Sequence, residues 1–366
     1  MQGALQAHRL KPRSHRSGLF DDICLISHRQ AQPNEADQPC HIKMVQGEWF
    51  MPKDNIASLK RLSPEIAVFS PWPLFTITIE KLSSGEDEVY FHAGGQGVWA
   101  ARMAAELGGK VTLVGPVGGE ARTLIEAMVR AEGLDLRAVP IRHANGGYIN
   151  DRRSGERKEI ATVPPPRMDR HEVDDLYNAT LAEGIRAKSM IITGIPDGEV
   201  MPVEIYDRLT RDLKANGVAS IADIAGTVLD SVTEGLTMLK VSHEELMAAN
   251  IAKDDSRKSL LKAMDSLQKK AENIVVSCAG AGALALMHGE FLEAKAPQLT
   301  PRDHTGAGDS MTAALAVGWA GGLEPHDVLK LATAAGAMNV TRHGRGTGNL
   351  HDIEILAGQV EIETVK

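Results

Sequence analysis

Aromatic and cysteine residues are scarce in this chain. Only 4% of its 366 residues are Phe, Trp or Tyr, and it has three cysteines, Cys24, Cys40 and Cys278. The cysteines are odd in number, far apart and in no Cys-x-x-Cys pair, which excludes a disulfide framework and a zinc knuckle. We therefore expect a protein of a reducing, cytoplasmic compartment.

Excess positive charge and long apolar runs are also lacking. The net charge is −8, from 40 basic and 48 acidic residues, so the basic footprint of a nucleic-acid-binding protein is absent. The most apolar stretch, 274–287, is interrupted by polar and glycine residues and is shorter than the ~18 residues of a membrane-spanning helix. The basic first 20 residues have no apolar core, which argues against a secretory signal. We expect neither nucleic acid nor a membrane as a partner.

The pattern of the chain changes near residue 65. Residues 1–64 are polar and aperiodic, and we expect a flexible N-terminal extension there. Beyond it, Phe75, Ile77 and Ile79 alternate with polar residues, which is typical of a strand with one solvated face. Amphipathic hairpins at about 74–93 and 146–163 are predicted to form a small β-sheet lid.

Apolar strand-like segments alternate with helical segments through the rest of the chain. This rhythm predicts an α/β fold with a mainly parallel central sheet covered by helices on both faces. We assign residues 65–358 to this domain and 359–366 to a C-terminal tail. Predicted strands lie at 66–70, 110–115, 190–193, 219–224, 238–241, 273–277 and 282–287, and predicted helices at 98–107, 121–132, 202–216, 227–234, 243–249, 259–271 and from residues 310 and 326 onward.

The most informative segment, 303–310, reads Asp-His-Thr-Gly-Ala-Gly-Asp-Ser and precedes a helical run. Gly306, Ala307 and Gly308 have almost no side chain, so their N–H groups can converge with the helix dipole on an anion such as phosphate. The carboxylate of Asp309 would lie beside that anion and could accept a proton from an attacking hydroxyl. The local pattern is equally consistent with a simple N-cap at Asp309 after a tight glycine turn.

These segments resemble the ribokinase, or PfkB, family of carbohydrate kinases. The resemblance rests on Thr-Gly-Ala-Gly-Asp at 305–309 and on Gly-Gly-Gln-Gly at 94–97 before an Ala-rich helix. Within the family, the sequence looks most like the branch that phosphorylates fructose 1-phosphate, fructose 6-phosphate or tagatose 6-phosphate. The resemblance extends from about residue 65 to residue 348, and further matching segments are 193–196, Asp223, 240–246, 277–286 and 335–341.

The resemblance implies a ribokinase-like fold, ATP and Mg²⁺ as cofactors, and a catalytic role for the 305–309 segment. Asp309 matches the catalytic base, and the amides of Gly306, Ala307 and Gly308 match the anion hole for the transferring phosphoryl group. Glu245 matches a residue that organises the magnesium through water. The family's Asn in that motif is Ser242 here.

Nucleotide contacts are implied for a set of residues spread over the C-terminal half. Simpler roles remain open for two members: Gly282 could do no more than begin a strand, and Asn339 could do no more than bond neighbouring backbone. Outside this set, Glu245 could be no more than a first-turn helix acid. The implied set is Lys240, Ser242, Ser277, Gly280, Gly282, Thr305 and Asn339.

On the acceptor side the resemblance implies contacts from Gly94, Gly95, Gln96 and Trp99, with Asp309. Here the sequence departs from the family pattern. Leu74 replaces a carboxylate, Gln96 a lysine and Trp99 an asparagine, and such changes predict an altered or lost sugar preference. Gly146-Gly147 stands in place of the family's Thr-Arg phosphate anchor before the second lid hairpin. The anchor is therefore missing, unless Arg152, Arg153 or Arg157 replaces it from the lid.

The sequence thus predicts ATP-dependent phosphorylation of a hydroxyl on a sugar or sugar phosphate. A nucleoside kinase of the same family is a second hypothesis, favoured by Trp72 and Trp99. A non-catalytic homologue that binds ligands is a third, favoured by the substituted acceptor site. Because a strand edge with alternating apolar residues often pairs with another copy, we also predict a homodimer through the lid.

Overall fold

The computed structural model describes residues 63–196, 200–342 and 344–365, together with Ile56 and two short strands near residue 45. The chain divides into two units, Met1–Pro52 and Lys53–Lys366. In the first unit β1 (Met44–Val45) pairs antiparallel with β2 (Glu48–Trp49). Apart from these strands, Ile56 and residues 63 and 64, the segment 1–64 that is predicted to be flexible lies outside the described residues. Everything below concerns the second unit.

A ten-stranded sheet forms the centre of the second unit, in the order β16-β15-β14-β13-β12-β11-β10-β3-β6-β7. Strands β13 to β7 in that order run parallel, and β14, β15 and β16 are antiparallel additions at one edge. The strands are β3 (Glu65–Phe69), β6 (Lys110–Gly118), β7 (Asp135–Ile141), β10 (Ser189–Thr193), β11 (Ala219–Asp223), β12 (Leu236–Ser242), β13 (Ala271–Ser277), β14 (Ala283–Met287), β15 (Glu290–Lys295) and β16 (Glu361–Thr364).

Helices cover both faces of this sheet, as the sequence predicts, because its central strands are buried on both sides and need cover. Two separate clusters of buried apolar side chains lie on the two faces. The helices are α1 (Gln96–Glu106), α2 (Ala121–Ala131), α3 (Arg170–Ala187), α4 (Glu204–Ala215), α5 (Gly226–Ser231), α6 (His243–Ala248), α7 (Arg257–Leu267), α8 (Ala307–Ala320), α9 (Pro325–Val340) and α10 (Leu350–Ala357). None of these described helices is long and apolar enough to cross a bilayer.

The predicted lid is confirmed as a separate four-stranded sheet, in the order β5-β4-β8-β9. It consists of β4 (Leu74–Lys81), β5 (Asp87–Gly94), β8 (Gly147–Asp151) and β9 (Lys158–Val163). Its two faces differ in chemistry because side chains alternate along each strand. Thr76 pairs with both His92 and Tyr148 on one face, whereas Ile77 pairs with Phe91 and Ile149 on the other.

Some elements were not part of the sequence prediction. Strand β7 precedes the second lid hairpin and helix α3 follows it, and β15, α10 and β16 lie toward the C-terminus. The segment 359–366, expected to be a tail, contributes β16 to the sheet. Ile56, within the expected extension, packs against the apolar core.

Candidate active site

The polar residues of the site lie at the carboxyl ends of the central parallel strands. Thr193 ends β10, Asp223 ends β11 and Ser242 ends β12. At β3 the strand order of the sheet changes direction, because the next strand in the chain, β6, lies on one side of β3 and the later strand β10 lies on the other. Such a switch point leaves a crevice at the carboxyl edge, where α/β proteins bind ligands. Helix α8 packs against α1 and β11 at this edge.

A buried ion pair forms the floor of the site. The parallel register of β11 and β12 makes Asp223 and Lys240 direct neighbours, and their side chains, each 6% exposed, lie 3.2 Å apart. Thr312 of α8 donates a hydrogen bond to the same carboxylate at 3.0 Å. Burial opposes the charge on Lys240, but Asp223, Glu245 and Asp309 together raise its pKa. The lysine is therefore held as an ammonium.

Asp309 lies in the first turn of α8 and is 8% exposed. Burial raises the pKa of its carboxyl group to about 8, and the nearby Asp223 acts in the same direction. Lys240 and a hydrogen bond from Gln96 partly offset this effect. The result is a carboxyl group that exchanges its proton close to neutral pH, which is the range required of a general base.

The start of α8 is kept bare of side chains for a steric reason. Gly306 has φ +87°, a conformation that favours glycine. A Cβ on Gly308 would lie 2.6 Å from Nζ of Lys240. The start of α8 and the ammonium of Lys240 therefore lie side by side, an arrangement that favours an anion.

Gln96 joins the first glycine-rich segment to this centre. Its side chain accepts a hydrogen bond from the amide of Gly194 at 3.1 Å and donates one to the carbonyl of Asp223 at 3.4 Å. The Gln96 side chain also lies beside Asp309, and it lowers the pKa of the Asp309 carboxyl group. The two preceding glycines allow close packing of the turn: a Cβ on Gly95 would lie 2.9 Å from the carbonyl oxygen of Trp72, and one on Gly94 would lie 2.6 Å from Oγ1 of Thr76.

Ser242 and Glu245 form a reciprocal cap at the start of α6. The Ser242 hydroxyl accepts a hydrogen bond from the amide of Glu245 at 3.1 Å, and the Glu245 carboxylate accepts one from the amide of Ser242 at 2.7 Å. The same carboxylate also accepts from the Ser242 hydroxyl at 2.8 Å. Such a capping box stabilises the helix start, and it fixes Glu245 near Lys240, whose pKa it raises.

The two glycines that follow β13 have different surroundings. Ser277 ends the strand, and its carbonyl contacts Nδ1 of His243 at 3.1 Å. Gly280 is exposed, and a Cβ there would meet no atom within 4 Å. Gly282 has φ +105°, and a Cβ would lie 2.0 Å from the carbonyl of Ala294. Glycine at 282 is thus required by strand pairing.

Asn339 is fully buried and connects two loops. Its amide nitrogen donates to the carbonyl of Thr305 at 2.9 Å, and its oxygen accepts from the amide of Gly346 at 2.9 Å. These bonds hold the 303–306 segment against the loop that follows α9. The structure therefore accounts for Asn339 through backbone contacts, and a contact with adenine stays a prediction.

A cleft of about 360 Å³ lies between the lid and the body. Its lining includes the polar face of the lid, Trp99 of α1 and Asp303. Asp309 and the glycines at the start of α8 do not line the cleft. Arg345, which lines it, is close to the start of α8, because a Cβ added to Gly306 would lie 3.1 Å from the Cβ of Arg345. The lining residues are Thr76, Thr78, His92, Trp99, Arg102, Glu132, Tyr148, Asn150, Arg152, Arg157, Asp303, Gly344, Arg345 and Thr347.

Four arginines and two carboxylates give the cleft a positive charge. Arg102 pairs with Glu132, and Arg152 lies 3.4 Å from Asp303. Sequence reasoning proposed Arg152 among the lid replacements for a phosphate anchor. It did not include Arg102 or Arg345, which reach the cleft from distant parts of the chain and carry no local sequence signal.

The structure brings together Asp309, Lys240, Gln96 and the helix start of α8, at the carboxyl edge of the sheet. A helix start with little side-chain cover, beside a buried ammonium and a carboxyl group with a raised pKa, is suited to phosphoryl transfer. The chain belongs to the pfkB family of carbohydrate kinases, whose model matches residues 77–352.

Two curated relatives are similar over most of the chain. The ATP-dependent 6-phosphofructokinase isozyme 2 of Mycobacterium tuberculosis is 27% identical over 281 residues, which cover 75% of this chain and 81% of the relative. The 1-phosphofructokinase of Vibrio cholerae is 26% identical over 285 residues, covering 75% and 87%. Both are named as kinases of sugar phosphates, which confirms the predicted enzyme class.

Solved structures share the fold. Phosphofructokinase-2 of Escherichia coli, in complex with potassium, has a TM-score of 0.72 at 20% identity, over 81% of this chain and 99% of its own. A putative phosphofructokinase of Staphylococcus aureus has a TM-score of 0.71 at 20% identity, over 82% and 99%. The predicted ribokinase-like architecture is confirmed.

Proposed function

We propose that this protein transfers the γ-phosphoryl group of ATP to a hydroxyl of a sugar or sugar phosphate. The observation that carries the proposal is Asp309, buried at the bare start of α8 with a pKa raised to about 8. A carboxyl group of this kind can accept the acceptor's proton as the new P–O bond forms.

The start of α8 supplies the electrostatic part of this reaction. The amides of Gly306, Ala307 and Gly308 would donate hydrogen bonds to the transferring phosphoryl group, and the ammonium of Lys240 beside Gly308 would offset its negative charge. Little covalent chemistry is required of the protein, because phosphoryl transfer depends on positioning and on stabilisation of charge.

Magnesium would be held mainly by the nucleotide. Among the described residues no group of three His, Cys, Asp or Glu side chains could hold a metal by itself. Glu245 is the acidic side chain we assign to it, through water, because the capping box with Ser242 fixes its position. The ion would neutralise phosphate oxygens.

We assign the nucleotide to the carboxyl ends of β12 and β13. Lys240 and Ser242 lie on β12, Ser277 ends β13, and the exposed Gly280 leaves room for a ribose or base to approach. Gly282, Thr305 and Asn339 would shape this side of the site through the backbone they hold in place. The acceptor would enter from the cleft, past Gly94, Gly95, Gln96 and Trp99.

The tryptophans do not favour the nucleoside-kinase hypothesis. Trp72 donates its indole N–H to the carbonyl of Gly194 at 2.7 Å, and the ring face of Trp99 is covered by the guanidinium of Arg345 at 4.2 Å. Both rings thus have partners within the protein.

The test is an ADP-release assay over sugars, sugar phosphates and nucleosides, for the wild type and the Asp309→Asn variant. We expect turnover of a sugar or sugar phosphate, reduced in the variant by roughly 10²- to 10⁴-fold. ATP binding without turnover of any acceptor would contradict the proposal and support the non-catalytic homologue. Preferred turnover of a nucleoside would support the nucleoside kinase.

We also propose a cytoplasmic homodimer that forms through the lid. The outer lid face exposes apolar side chains, with Phe91 at 56% and Val163 at 61%, and a second copy of the same face would cover them. Light scattering should give twice the monomer mass at micromolar concentration, and Phe91→Glu should give the monomer mass. A monomeric wild type would contradict this assignment.

A further inference from the structure

The charges of the lid cleft are unevenly compensated. Arg102 and Arg152 each have a carboxylate partner. Arg157 and Arg345 make no ion pair within 4.0 Å in the part of the chain that the structure describes. Two guanidinium groups thus face the same cleft without a neutralising carboxylate.

Both of these arginines converge on Tyr148 of the lid. Arg157 lies over its ring at 5.2 Å and hydrogen-bonds Asn150 at 2.9 Å. Arg345 donates a hydrogen bond to the Tyr148 hydroxyl at 2.9 Å and stacks on Trp99. The two guanidinium groups come from the lid turn and from the loop after α9, so one anion held between them would bridge lid and body.

A buried hydroxyl in the same wall lacks a partner. Thr76 is 4% exposed and lines the cleft, and its Oγ1 has no hydrogen-bond partner of acceptable geometry. Burial raises the pKa of the nearby Tyr148 hydroxyl, and Arg157 and Thr76 act in the opposite direction. A buried hydroxyl without a partner is unfavourable, and an oxygen-rich ligand in the cleft would satisfy it.

The position where the sequence resemblance implies a phosphate anchor, Gly146-Gly147, carries no positive charge, and neither does Gln96. Gln96 stands where the family has a lysine, and Gly146-Gly147 stands where it has Thr-Arg. Gln96 is committed to Gly194 and Asp223. The cleft nevertheless has excess positive charge, supplied by other elements.

We propose that Arg157 and Arg345 bind a phosphate group already present on the acceptor and thereby determine acceptor specificity. This inference rests on the proposed kinase function. Guanidinium groups match phosphate oxygens through paired N–H donors. Because Arg345 also packs against Gly306, it would hold the phosphate end of the acceptor in the cleft while the sugar extends toward Asp309.

The experiment compares fructose 6-phosphate, fructose 1-phosphate and fructose as acceptors. Arg345→Gln and Arg157→Gln should each lower kcat/KM for the better phosphorylated sugar by roughly 10- to 100-fold, mainly through KM, since each removes a hydrogen bond to a charged group. The kcat/KM for fructose should change by less than about 3-fold. Arg345→Lys should recover part of the loss, because it restores the charge without the paired donors.

Arg153→Gln is the matched control. It removes the same charge from the same lid turn, but Arg153 pairs with Asp151 and Asp87 and does not line the cleft. Its kinetic constants should stay within about 2-fold of the wild type. Unfolding midpoints of all variants would show whether a loss reflects folding, and a variant that does not fold is replaced by the Lys substitution at the same position.

Calorimetric titration of the two sugar phosphates in the absence of nucleotide separates this inference from the proposed function. Binding by the wild type that is weakened in both Gln variants supports the inference even if no acceptor is turned over. Turnover of a sugar phosphate with unchanged KM in both variants would overturn the inference and leave the kinase function intact. An equal loss with fructose would also overturn it, since the arginines would not then be reading phosphate.

Discussion

Replacing Asp309 by Asn should separate the two consequences of burying its carboxyl group. The pKa is about 8 in the folded chain against an ordinary value of 3.8. Below the lower value the group is protonated whether the chain is folded or not. Between the two values only the folded chain keeps the proton, so stability falls as the pH rises through this window and falls no further above it.

The size of this effect follows from the pKa values. Between pH 6 and the pKa of about 8, Asp309 binds its proton in the folded chain but not in the unfolded chain. This difference over roughly two pH units corresponds to about 3 kcal/mol at 1.36 kcal/mol per unit, and it grows little from there to pH 9. The Asp309→Asn variant cannot ionise and escapes this loss. Its free energy of unfolding, relative to the wild type, should therefore rise by up to about 3 kcal/mol between pH 6 and pH 9.

Activity should respond in the opposite sense. A general base acts in its ionised form, so kcat/KM of the wild type should rise with pH through about 8, and the variant should lose roughly 10²- to 10⁴-fold. Urea unfolding at several pH values and initial rates over the same range measure both effects. Asp255→Asn, at an exposed position, is the control. A stability difference that is constant with pH, or a variant with more than a tenth of wild-type activity, would refute the reasoning.

Three further changes test the surroundings of this carboxyl group. Lys240→Met removes the partner of Asp223, leaves a buried carboxylate uncompensated and should cost about 3–5 kcal/mol in urea unfolding; a change under 1 kcal/mol would contradict the buried pair. Gly308→Ala places a Cβ 2.6 Å from Nζ of Lys240 and should reduce kcat at least about 10-fold. Gly318→Ala in the same helix is the control and should keep near wild-type rates. Equal rates in the two variants would refute the steric argument. Asn339→Ala removes both bonds that join the two loops and should destabilise the fold by about 1–3 kcal/mol, which thermal unfolding would detect; an unchanged midpoint would argue against this structural role.

Sequence reasoning located the central sheet and the lid because both rest on local periodicity. The apolar runs that became β10 to β12 are each bounded by helices, and the alternation of Thr76 and Ile77 marks a two-faced strand. Strand β7 lies at the edge of the sheet and carries Asp135, Arg137 and Pro140. Because this composition lacks the apolar pattern of a buried strand, the sequence does not indicate a strand there. Strand β16 is similarly acidic, and its pairing depends on β15 rather than on its own pattern.

The candidate site was predictable where one segment contains the chemistry. Gly306 and Asp309 lie within one glycine-rich stretch, so their proximity needs no tertiary knowledge. The neighbourhood of Asp223 and Lys240 depends on the register of two strands, and the convergence of Arg157 and Arg345 depends on how the lid is placed over the body. These contacts join residues far apart in sequence, and no local pattern specifies them.

The C-terminal strand has a practical consequence for handling the protein. Strand β16 covers the antiparallel partner β15, and Lys295 reinforces the contact through Glu361 and Glu363. Truncation before residue 361 would replace the short acidic edge of β16 by the longer edge of β15, whose main-chain donors and acceptors can recruit strands from other molecules. We therefore expect shortened versions to precipitate, and purification handles are better attached beyond the intact last strand.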